Sequence, residues 1–220
     1  KNWKFRVGDL DERKLWSDLN GDGEMQDDEV QTLPEHLNVG GYYCWSHGMG
    51  DDLSLYGVLR GTGAVHVPLA GFAPGGAPRW DLAKIRKLPV VEAGSIPYPS
   101  CDGELLLIQG RGAWHGERWV CLETATGKVC WTYPNPFSGV HGSHRAPPPE
   151  AGLIRGAFGV VGTGKLPPPL GRFWIINTNK GEWHVLSEGG FYVTRLFQGD
   201  LLRVRWPDAA APGARLDHVP

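Results

Sequence analysis

Residues 117–133 read ERWVCLETATGKVCWTY. Two runs rich in β-branched and aromatic residues flank the stretch 124–127, which ends in Gly127. Such runs favour strands, and glycine accepts the left-handed backbone conformation that tight turns between strands often need. The stretch therefore predicts a β-hairpin with strands at 117–123 and 128–133.

Similar short apolar runs recur along the chain. Gly and Pro make up 32 and 18 of its 220 residues, about twice the usual combined share of ~12%. Helical periodicity is confined to two short segments, 11–17 and 81–88. The sequence therefore predicts an all-β fold with few short helices. The predicted strands are 3–7, 42–47, 53–59, 64–69, 104–109, 117–123, 128–133, 153–161, 172–177, 182–187, 191–197 and 201–206.

The spacing of these strands favours a β-propeller over a sandwich or a barrel. Segment 172–197 repeats the strand–turn–strand pattern of the first hairpin, with turns at 177–181 and 188–190. Units of this kind fit four-stranded antiparallel sheets of roughly 40–50 residues each. We therefore expect residues 1–220 to form a single propeller domain, complete or partial, or part of a larger one.

The stretch 18–29, DLNGDGEMQDDE, matches the calcium-loop pattern D-x-[DN]-x-[DN]-G-x5-E at every specified position. Calcium is a hard cation that prefers about six to eight oxygen ligands, which alternate positions of a tight loop supply. An acidic, solvated turn is the other interpretation, but so many adjacent carboxylates repel one another without a cation. We therefore predict one Ca²⁺ ion here. Its predicted ligands are Asp18, Asn20, Asp22, Glu24, Gln26 and Glu29.

The pattern also gives each ligand a role. The first three supply side-chain oxygens, Glu24 its backbone carbonyl and Gln26 a contact through water, whereas Glu29 binds with both carboxylate oxygens. Gly23 makes the sharp bend that a residue with a Cβ would resist. Met25 stands where such loops usually turn an apolar side chain inward.

The calcium loop is predicted to be a structural site and not a sensor. Sensors pair two helix–loop–helix units and expose a groove on binding, and this chain contains one such loop. Pro34 follows closely and limits any helix after the loop to a short turn. We interpret residues 11–34 as an inserted EF-hand-like segment that makes the fold more rigid.

Charge and hydropathy narrow the range of partners. The formal net charge is −2 at pH 7, so bulk charge does not favour binding to nucleic acid or to an anionic membrane. No apolar run reaches the ~20 residues that span a bilayer, and we predict no membrane insertion. The chain begins at Lys1 without a hydrophobic leader, which suggests a processed protein or an excerpt of a longer one.

The segment 121–133, CLETATGKVCWTY, resembles a repeat of quinoprotein-type β-propellers, which read L-D-A-x-T-G-K-x-x-W. The resemblance implies that Thr126, Gly127 and Lys128 form the hairpin turn and that Trp131 packs between blades. Segment 171–197 resembles a blade of the related NHL-type propellers. Together with the acidic loop, the chain is similar to part of a large secreted bacterial propeller, of the kind abundant in planctomycete-like bacteria. This implies an extracellular or periplasmic location.

The four cysteines are consistent with an oxidising compartment. Cys121 and Cys130 would face each other across the hairpin that the resemblance describes, and we predict a disulfide between them. Cys44 and Cys101 would then form a second bridge, which closes a long loop. Four buried free thiols are the alternative.

The sequence leaves three functions open. The first is a secreted, calcium-binding propeller that binds a protein or polysaccharide, or assembles, without catalysis. The second is a quinoprotein-like oxidoreductase or a carbohydrate-active or carbohydrate-binding propeller. Quinone-binding members use an adjacent cysteine pair, which this chain does not have. The third is a self-assembling subunit of an extracellular structure.

No cluster of catalytic carboxylates is evident, so we expect a binding module and not an enzyme. Candidate sugar-stacking residues are Trp45, Trp80, Trp114, Trp131, Trp174 and Trp183.

Overall fold

The computed structural model describes residues 14–39, 48–59, 61–90, 97–110, 118–137, 142, 145–147, 150–169, 171–178 and 181–197. These residues contain seventeen β-strands and two single-turn 3₁₀ helices, Asp27–Glu29 and Leu82–Lys84. The predicted all-β fold is confirmed. The strands are β1 (Lys14–Trp16), β2 (Val30–Thr32), β3 (Leu37–Asn38), β4 (Gly48–Met49), β5 (Leu55–Leu59), β6 (Gly63–Val67), β7 (Leu69–Phe72), β8 (Pro78–Trp80), β9 (Arg86–Lys87), β10 (Tyr98–Pro99), β11 (Leu105–Gly110), β12 (Arg118–Glu123), β13 (Val129–Pro134), β14 (Ala157–Lys165), β15 (Arg172–Thr178), β16 (Trp183–Ser187) and β17 (Tyr192–Leu196).

Three larger antiparallel sheets follow one another along the chain. The first sheet has the order β3-β5-β6-β9, and β4 also pairs with β5. The second sheet, β10-β11-β12-β13, and the third sheet, β14-β15-β16-β17, are meanders in which each strand pairs with the next one in sequence. Two hairpins accompany them: the loop hairpin, β1–β2, and the side hairpin, β7–β8.

The second sheet lies between the other two, and its strands β11 and β12 are buried on both faces. Its strands β11 and β12 are almost continuously apolar, as expected for strands that face a core on both sides. Alternate side chains enter different cores because neighbouring residues of a strand point to opposite faces. The core towards the third sheet contains Tyr98, Leu107, Trp119, Cys121, Ile154, Ala157, Val160, Trp174, Ile176 and Leu186. The core towards the first sheet contains Tyr56, Ala64, Leu88, Val90, Leu106, Ile108, Val120 and Leu122.

A further core joins the first sheet to the two hairpins. It includes Leu15 and Leu33 beside the loop hairpin and Trp80 of the side hairpin. The indole N–H of Trp80 donates to the carbonyl of Leu53 at 2.8 Å, so the side hairpin is also fixed by a hydrogen bond. The loop hairpin thus packs through its apolar residues, and this packing positions the acidic loop that it carries.

Trp131 fixes the second sheet to the third. Its ring meets the ring of Trp174 edge to face, with centroids 6.1 Å apart. Its indole N–H donates to the carbonyl of Glu188 at 2.6 Å. A Cβ added to Gly190 would lie 2.7 Å from the Trp131 ring, so a glycine is needed at this close approach. Trp131 therefore lies between the second and third sheets and contacts both.

Arg172 makes a second, polar connection between these sheets. Its Nε donates to Asp102 at 2.6 Å, and its two terminal nitrogens pair with Glu104 and with Glu188, the latter at 3.0 Å. Asp102 and Glu104 belong to the β10–β11 turn, whereas Glu188 follows β16. Burial opposes ionisation of Asp102, but hydrogen bonds from Arg172 and Ser100 lower its pKa overall. One guanidinium therefore binds carboxylates from two sheets.

Both predicted helices are wrong. Residues 14–16 of the predicted helix 11–17 form β1, because they pair with β2 and bury Leu15 in the core. Within 81–88, the Asp81 side chain accepts a hydrogen bond from the Ala83 N–H and caps a single turn, after which β9 pairs with β6. In both segments, a partner strand overrides local helix propensity.

The predicted strands in the second and third sheets agree with the structure to within one or two residues at most ends. Two predicted strands differ more: 153–161 begins at Ala157, and 64–69 divides between β6 and β7. The strand predicted at 53–59 begins at Leu55, because Leu53 has a positive φ of 62° in the preceding turn. The strands predicted at 3–7, 42–47 and 201–206 lie outside the described residues.

Replacement of Gly127 tests the contact between the first and second sheets. Gly127 has a φ of +71°, and an added Cβ would overlap the backbone carbonyl of Pro89. Gly76 has a similar φ of +85° but nothing within 4 Å of an added Cβ. We expect Gly76→Ala to cost about 1 kcal/mol for the left-handed backbone alone. Gly127→Ala should cost about 1–3 kcal/mol more, because the backbone must also move. Urea denaturation of both variants measures the difference. Equal losses of unfolding free energy would contradict the close contact between Gly127 and the Pro89 carbonyl.

Candidate functional site

The loop hairpin brings the two ends of the acidic loop together. Trp16 at the end of β1 pairs with Val30 at the start of β2, and the Ser17 N–H donates to the Glu29 carbonyl at 3.0 Å. Leu15 and Leu33 are buried in the core against the first sheet. The loop between these strands is therefore closed at its base by backbone pairing, and its supporting residues are buried.

The first half of the loop folds around its own side chains. Asp18 accepts from the Gly21 N–H at 2.7 Å and, through its other oxygen, from the Gly23 N–H at 3.1 Å. Asn20 accepts from the Asp22 N–H at 2.9 Å. Gly21 and Gly23 have φ values of +82° and +79°, a conformation that a side chain would resist. The coil thus turns its first carboxylate towards the interior of the loop.

Glu29 closes the loop from its other end. The residue is only 3% exposed. One carboxylate oxygen accepts from the Leu19 N–H at 2.7 Å, and the other accepts from the Trp16 indole N–H at 2.8 Å. Longer hydrogen bonds from the Asn20 and Gln26 N–H groups complete the set. Burial opposes ionisation of Glu29, but these donors together lower its pKa.

Three of the predicted ligand side chains meet one another. One Asp22 oxygen accepts from the Gln26 amide at 2.8 Å and from the Asn20 amide at 3.0 Å. A hydrogen bond from the Glu24 backbone N–H is the largest cause of the lowered pKa of Asp22. The side chain of Met25 points outward, with 52% of its surface exposed, so the inward position expected for it is wrong.

The loop has the oxygen atoms of a cation site, although its carboxylates bind backbone and amide N–H groups. Among the described residues, no three His, Cys, Asp or Glu side chains converge closely enough to hold a metal ion. The predicted set also includes two amides and a backbone carbonyl. The loop contains six acidic residues, and no ion pair between described residues involves them. Mutual repulsion in the loop therefore favours a cation.

The tip of the loop also touches the side hairpin. Gly21 lies so close to Gly75 that a Cβ added to Gly75 would be 3.2 Å from the Gly21 Cα. Gly75 belongs to the turn that joins β7 to β8, closed by hydrogen bonds between Ala73 and residues of the same turn. Two glycines therefore permit the backbones of the loop and the turn to meet. Sequence reasoning missed this contact, since Gly21 and Gly75 are far apart in the sequence and no local pattern relates them.

The predicted disulfide between Cys121 and Cys130 is not formed, since both are free thiols. The strand register explains the difference. Cys121 is opposite Trp131, and the next pair is Leu122 with Val129, so a shift leaves Cys130 outside the regular pairing. Cys121 is fully buried, whereas Cys130 is exposed. Burial and the nearby Cys130 thiol raise the pKa of Cys121.

The second predicted bridge joins Cys44 to Cys101. Cys101 is a free thiol at a half-buried position, and Cys44 lies outside the described residues. Burial raises the pKa of the Cys101 thiol, and the neighbouring Asp102 adds to the effect.

The tryptophans differ in the ring surface that they offer to a sugar. Trp80 and Trp174 are buried, and Trp131 is half-buried between two sheets. Trp183 keeps an exposed ring at the start of β16. The other two candidates, Trp45 and Trp114, lie outside the described residues. Most of the tryptophans that the structure describes thus serve packing.

His184 is a buried titratable group outside the loop. It is 1% exposed and its Nδ1 lies 3.2 Å from the Tyr192 hydroxyl. Burial, together with the positive charge of Arg195, lowers the pKa of His184 to about 4. Glu182, whose own pKa is raised by burial, lies 3.5 Å from Arg195. The imidazole is therefore enclosed by the sheet core.

Comparison with known proteins adds no assignment. The chain matches no protein-family model. No curated protein sequence matches it significantly either. No helix in the described part of the chain has both the length and the apolar character for crossing a membrane.

Glu29 should stabilise the protein even without metal, because it accepts hydrogen bonds from four protein donors. We expect Glu29→Gln to lower the melting temperature in excess chelator, because an amide cannot accept all of these bonds. Glu24→Gln removes the same charge from an exposed side chain and should change the melting temperature little. Calorimetry of both variants provides the test. An equal response would mean that only the net charge of the loop matters.

His184 should make stability depend on pH. Its pKa is lowered in the folded state, so its contribution is complete above the ordinary value of 6.5 and is lost as pH falls towards about 4. We expect a loss of about 2 kcal/mol between pH ~6.5 and pH ~5. Urea denaturation at several pH values measures this loss. His184→Gln should flatten the profile in that range, and an unchanged profile would exclude His184 as its cause.

Proposed function

We propose that loop 18–29 binds one calcium ion and that this ion stabilises a secreted β-propeller module whose role is binding or assembly. One observation carries the proposal: the first and last predicted ligands, Asp18 and Glu29, both turn inward and accept hydrogen bonds from the loop backbone. Such bonds pre-organise carboxylates before a cation arrives, which reduces the cost of ordering them on binding.

The chemistry of the donor set suits calcium. Five of the predicted ligands would use side-chain oxygens from one twelve-residue loop, and the sixth would contribute a backbone carbonyl, in keeping with the oxygen preference of this ion. Asp22 accepts hydrogen bonds from the amides of Asn20 and Gln26. A cation between these side chains would replace the amide hydrogens, and the amide oxygens would become ligands.

A structural role follows from the surroundings of the loop. Glu29 bonds to Trp16 beside the buried core residue Leu15, and Gly21 touches the side hairpin at Gly75. An ion in the loop would therefore stabilise two contacts at once: the base of the loop hairpin and the contact of its tip with the side hairpin. The two positive charges of the ion would also reduce the repulsion among the six acidic residues of the loop.

The propeller assignment is supported by the way in which the sheets stack. Two consecutive four-stranded meanders and the preceding sheet pack face to face in chain order. The β4 strand of the first sheet also lies beside β10, the first strand of the second sheet. Both β3 and β4 pair with β5 and together form the edge at which the first sheet begins, and such edges of neighbouring blades approach one another around a propeller axis.

A calcium titration tests the proposal. We expect Ca²⁺ to raise the melting temperature and excess chelator to reverse the effect. Asp18→Ala should abolish the response, because it removes the first ligand. Asp28→Ala is the matched control: it removes an equal charge from the same loop at a position that the pattern does not use. Equal responses of the two variants would indicate non-specific charge screening.

Terbium luminescence locates the ion independently of stability. The Trp16 indole is bonded to the predicted ligand Glu29 at 2.8 Å, so Tb³⁺ in the loop should be sensitised by excitation of this tryptophan. Trp16→Phe should reduce the luminescence, whereas calcium should still raise the melting temperature of that variant. Sensitised emission that survives both Trp16→Phe and Asp18→Ala would place the ion elsewhere.

A further inference from the structure

The last predicted ligand of the acidic loop is held by a side chain from outside the loop. Trp16 lies on β1, two positions before Asp18, where the calcium-loop pattern assigns no role. Its indole N–H donates to one carboxylate oxygen of Glu29 at 2.8 Å. The other donors to this carboxylate are backbone N–H groups of the loop itself. Within the described part of the chain, Trp16 therefore supplies the one side-chain hydrogen bond to Glu29.

The hydrogen bonds to Glu29 are evenly divided between its two oxygens. Oε1 accepts from the Leu19 N–H at 2.7 Å and from the Asn20 N–H at 3.3 Å. Oε2 accepts from the Trp16 indole at 2.8 Å and from the Gln26 N–H at 3.4 Å. Each oxygen thus has one short and one long bond, which together use its two lone pairs. Long hydrogen bonds are weak, so the two long bonds are the ones that a cation can replace most easily.

The two short bonds fix the orientation of the Glu29 carboxylate. If an ion replaces only the long bonds, Glu29 can bind it with both oxygens, as the calcium-loop pattern expects, without turning. The bonds from Leu19 and Trp16 then remain and hold the carboxylate in that orientation. Groups that orient a metal ligand in this way commonly raise the affinity of the site for its ion.

Trp16 is itself held by strand pairing and not by the loop. It pairs with Val30 in the β1–β2 ladder, and the preceding residue, Leu15, is buried in the core. The N–H of the next residue, Ser17, donates to the backbone carbonyl of Glu29 at 3.0 Å. Both the backbone and the carboxylate of Glu29 are therefore bonded to the end of β1. A donor on a paired strand is positioned more precisely than one on a loop.

We propose that Trp16 is a positioning residue for the calcium ion, and that its indole N–H favours calcium over magnesium by holding Glu29 ready to bind with both oxygens. This inference rests on the proposed function of loop 18–29. Calcium accepts both oxygens of one carboxylate at ~2.3–2.6 Å, within flexible sets of about six to eight ligands. Magnesium requires a nearly regular octahedron of ligands at ~2.0–2.1 Å. The two oxygens of one carboxylate lie too close together to occupy neighbouring corners of that octahedron.

Magnesium in the loop would therefore take a single oxygen of Glu29, and the carboxylate would have to turn. Turning would strain or break one of the two short bonds, from Trp16 or from Leu19. The indole N–H thus opposes binding of the smaller ion and leaves binding of the larger ion unhindered. Loss of this N–H should weaken calcium binding and reduce the discrimination between the two ions.

Two substitutions of tryptophan by phenylalanine in the full chain test the proposal. Trp16→Phe keeps an aromatic ring on β1 but removes the N–H. Trp80→Phe is the matched control, because the Trp80 indole also donates at 2.8 Å, but to the Leu53 carbonyl and not to a loop carboxylate. We expect Trp16→Phe to weaken calcium binding ~10-fold or more and magnesium binding by less, so that the preference for calcium falls. Trp80→Phe should leave both affinities unchanged. Isothermal titration with calcium chloride and with magnesium chloride, at a temperature at which both variants are folded, measures these affinities.

A second measurement uses the wild-type chain and does not depend on how well Trp16→Phe folds. NMR follows the exchange of the indole N–H of Trp16 with water, in excess chelator and at saturating calcium. We expect this exchange to slow several-fold in calcium, because the hydrogen bond to Glu29 is retained and the loop opens less often. The indole N–H of Trp80 is the internal reference, and its exchange should stay the same.

Three outcomes would overturn the proposal and leave the calcium site in place. If Trp16→Phe weakens calcium and magnesium binding equally, Trp16 supports the loop without selecting an ion. If the calcium affinity of Trp16→Phe is unchanged, the N–H does not position Glu29 for the ion. If calcium makes the Trp16 N–H exchange faster, the ion displaces the indole from the carboxylate. A wild-type chain that binds neither ion would instead overturn the proposed function, and this inference with it.

Discussion

The burial of strands β11 and β12 of the second sheet on both faces is the constraint on which the rest of the structure depends. Strands β11 and β12 place Leu106 and Val120 against the first sheet and Leu107 and Cys121 against the third. A sheet that is apolar on both faces is unstable unless two other layers cover it. The order of the sheets in space follows their order along the chain, with the second sheet packed against both of the others.

Side chains that combine burial with several polar partners align these layers. Arg172 reaches carboxylates from two sheets, and Trp131 combines ring packing with a hydrogen bond to a backbone carbonyl. Glu29 has the same character in the acidic loop, where a buried carboxylate accepts from Trp16 and from backbone N–H groups. Burying a charge is costly, and these directional bonds offset that cost only in one arrangement.

The sequence was most informative where structure is local. The hairpin turn ending in Gly127, the meander of the third sheet and the inward-turned Asp18 all depend on residues a few positions apart. The sequence led to wrong predictions where a partner that is distant in the sequence determines the local structure. Lys14–Trp16 becomes a strand because β2 pairs with it. The predicted disulfide between Cys121 and Cys130 is absent, because a register shift places Trp131 and not Cys130 opposite Cys121.

By itself, the sequence determined an all-β chain of short antiparallel strands and a loop with the oxygen donors of a cation site. Both follow from side-chain chemistry and from periodicity, which act over a few residues. Only the tertiary structure decided that Trp16 would bond to Glu29, that Gly21 would meet Gly75, and that Arg172 would join two sheets. These contacts arise from the packing of layers, and no local pattern records which residues that packing brings together.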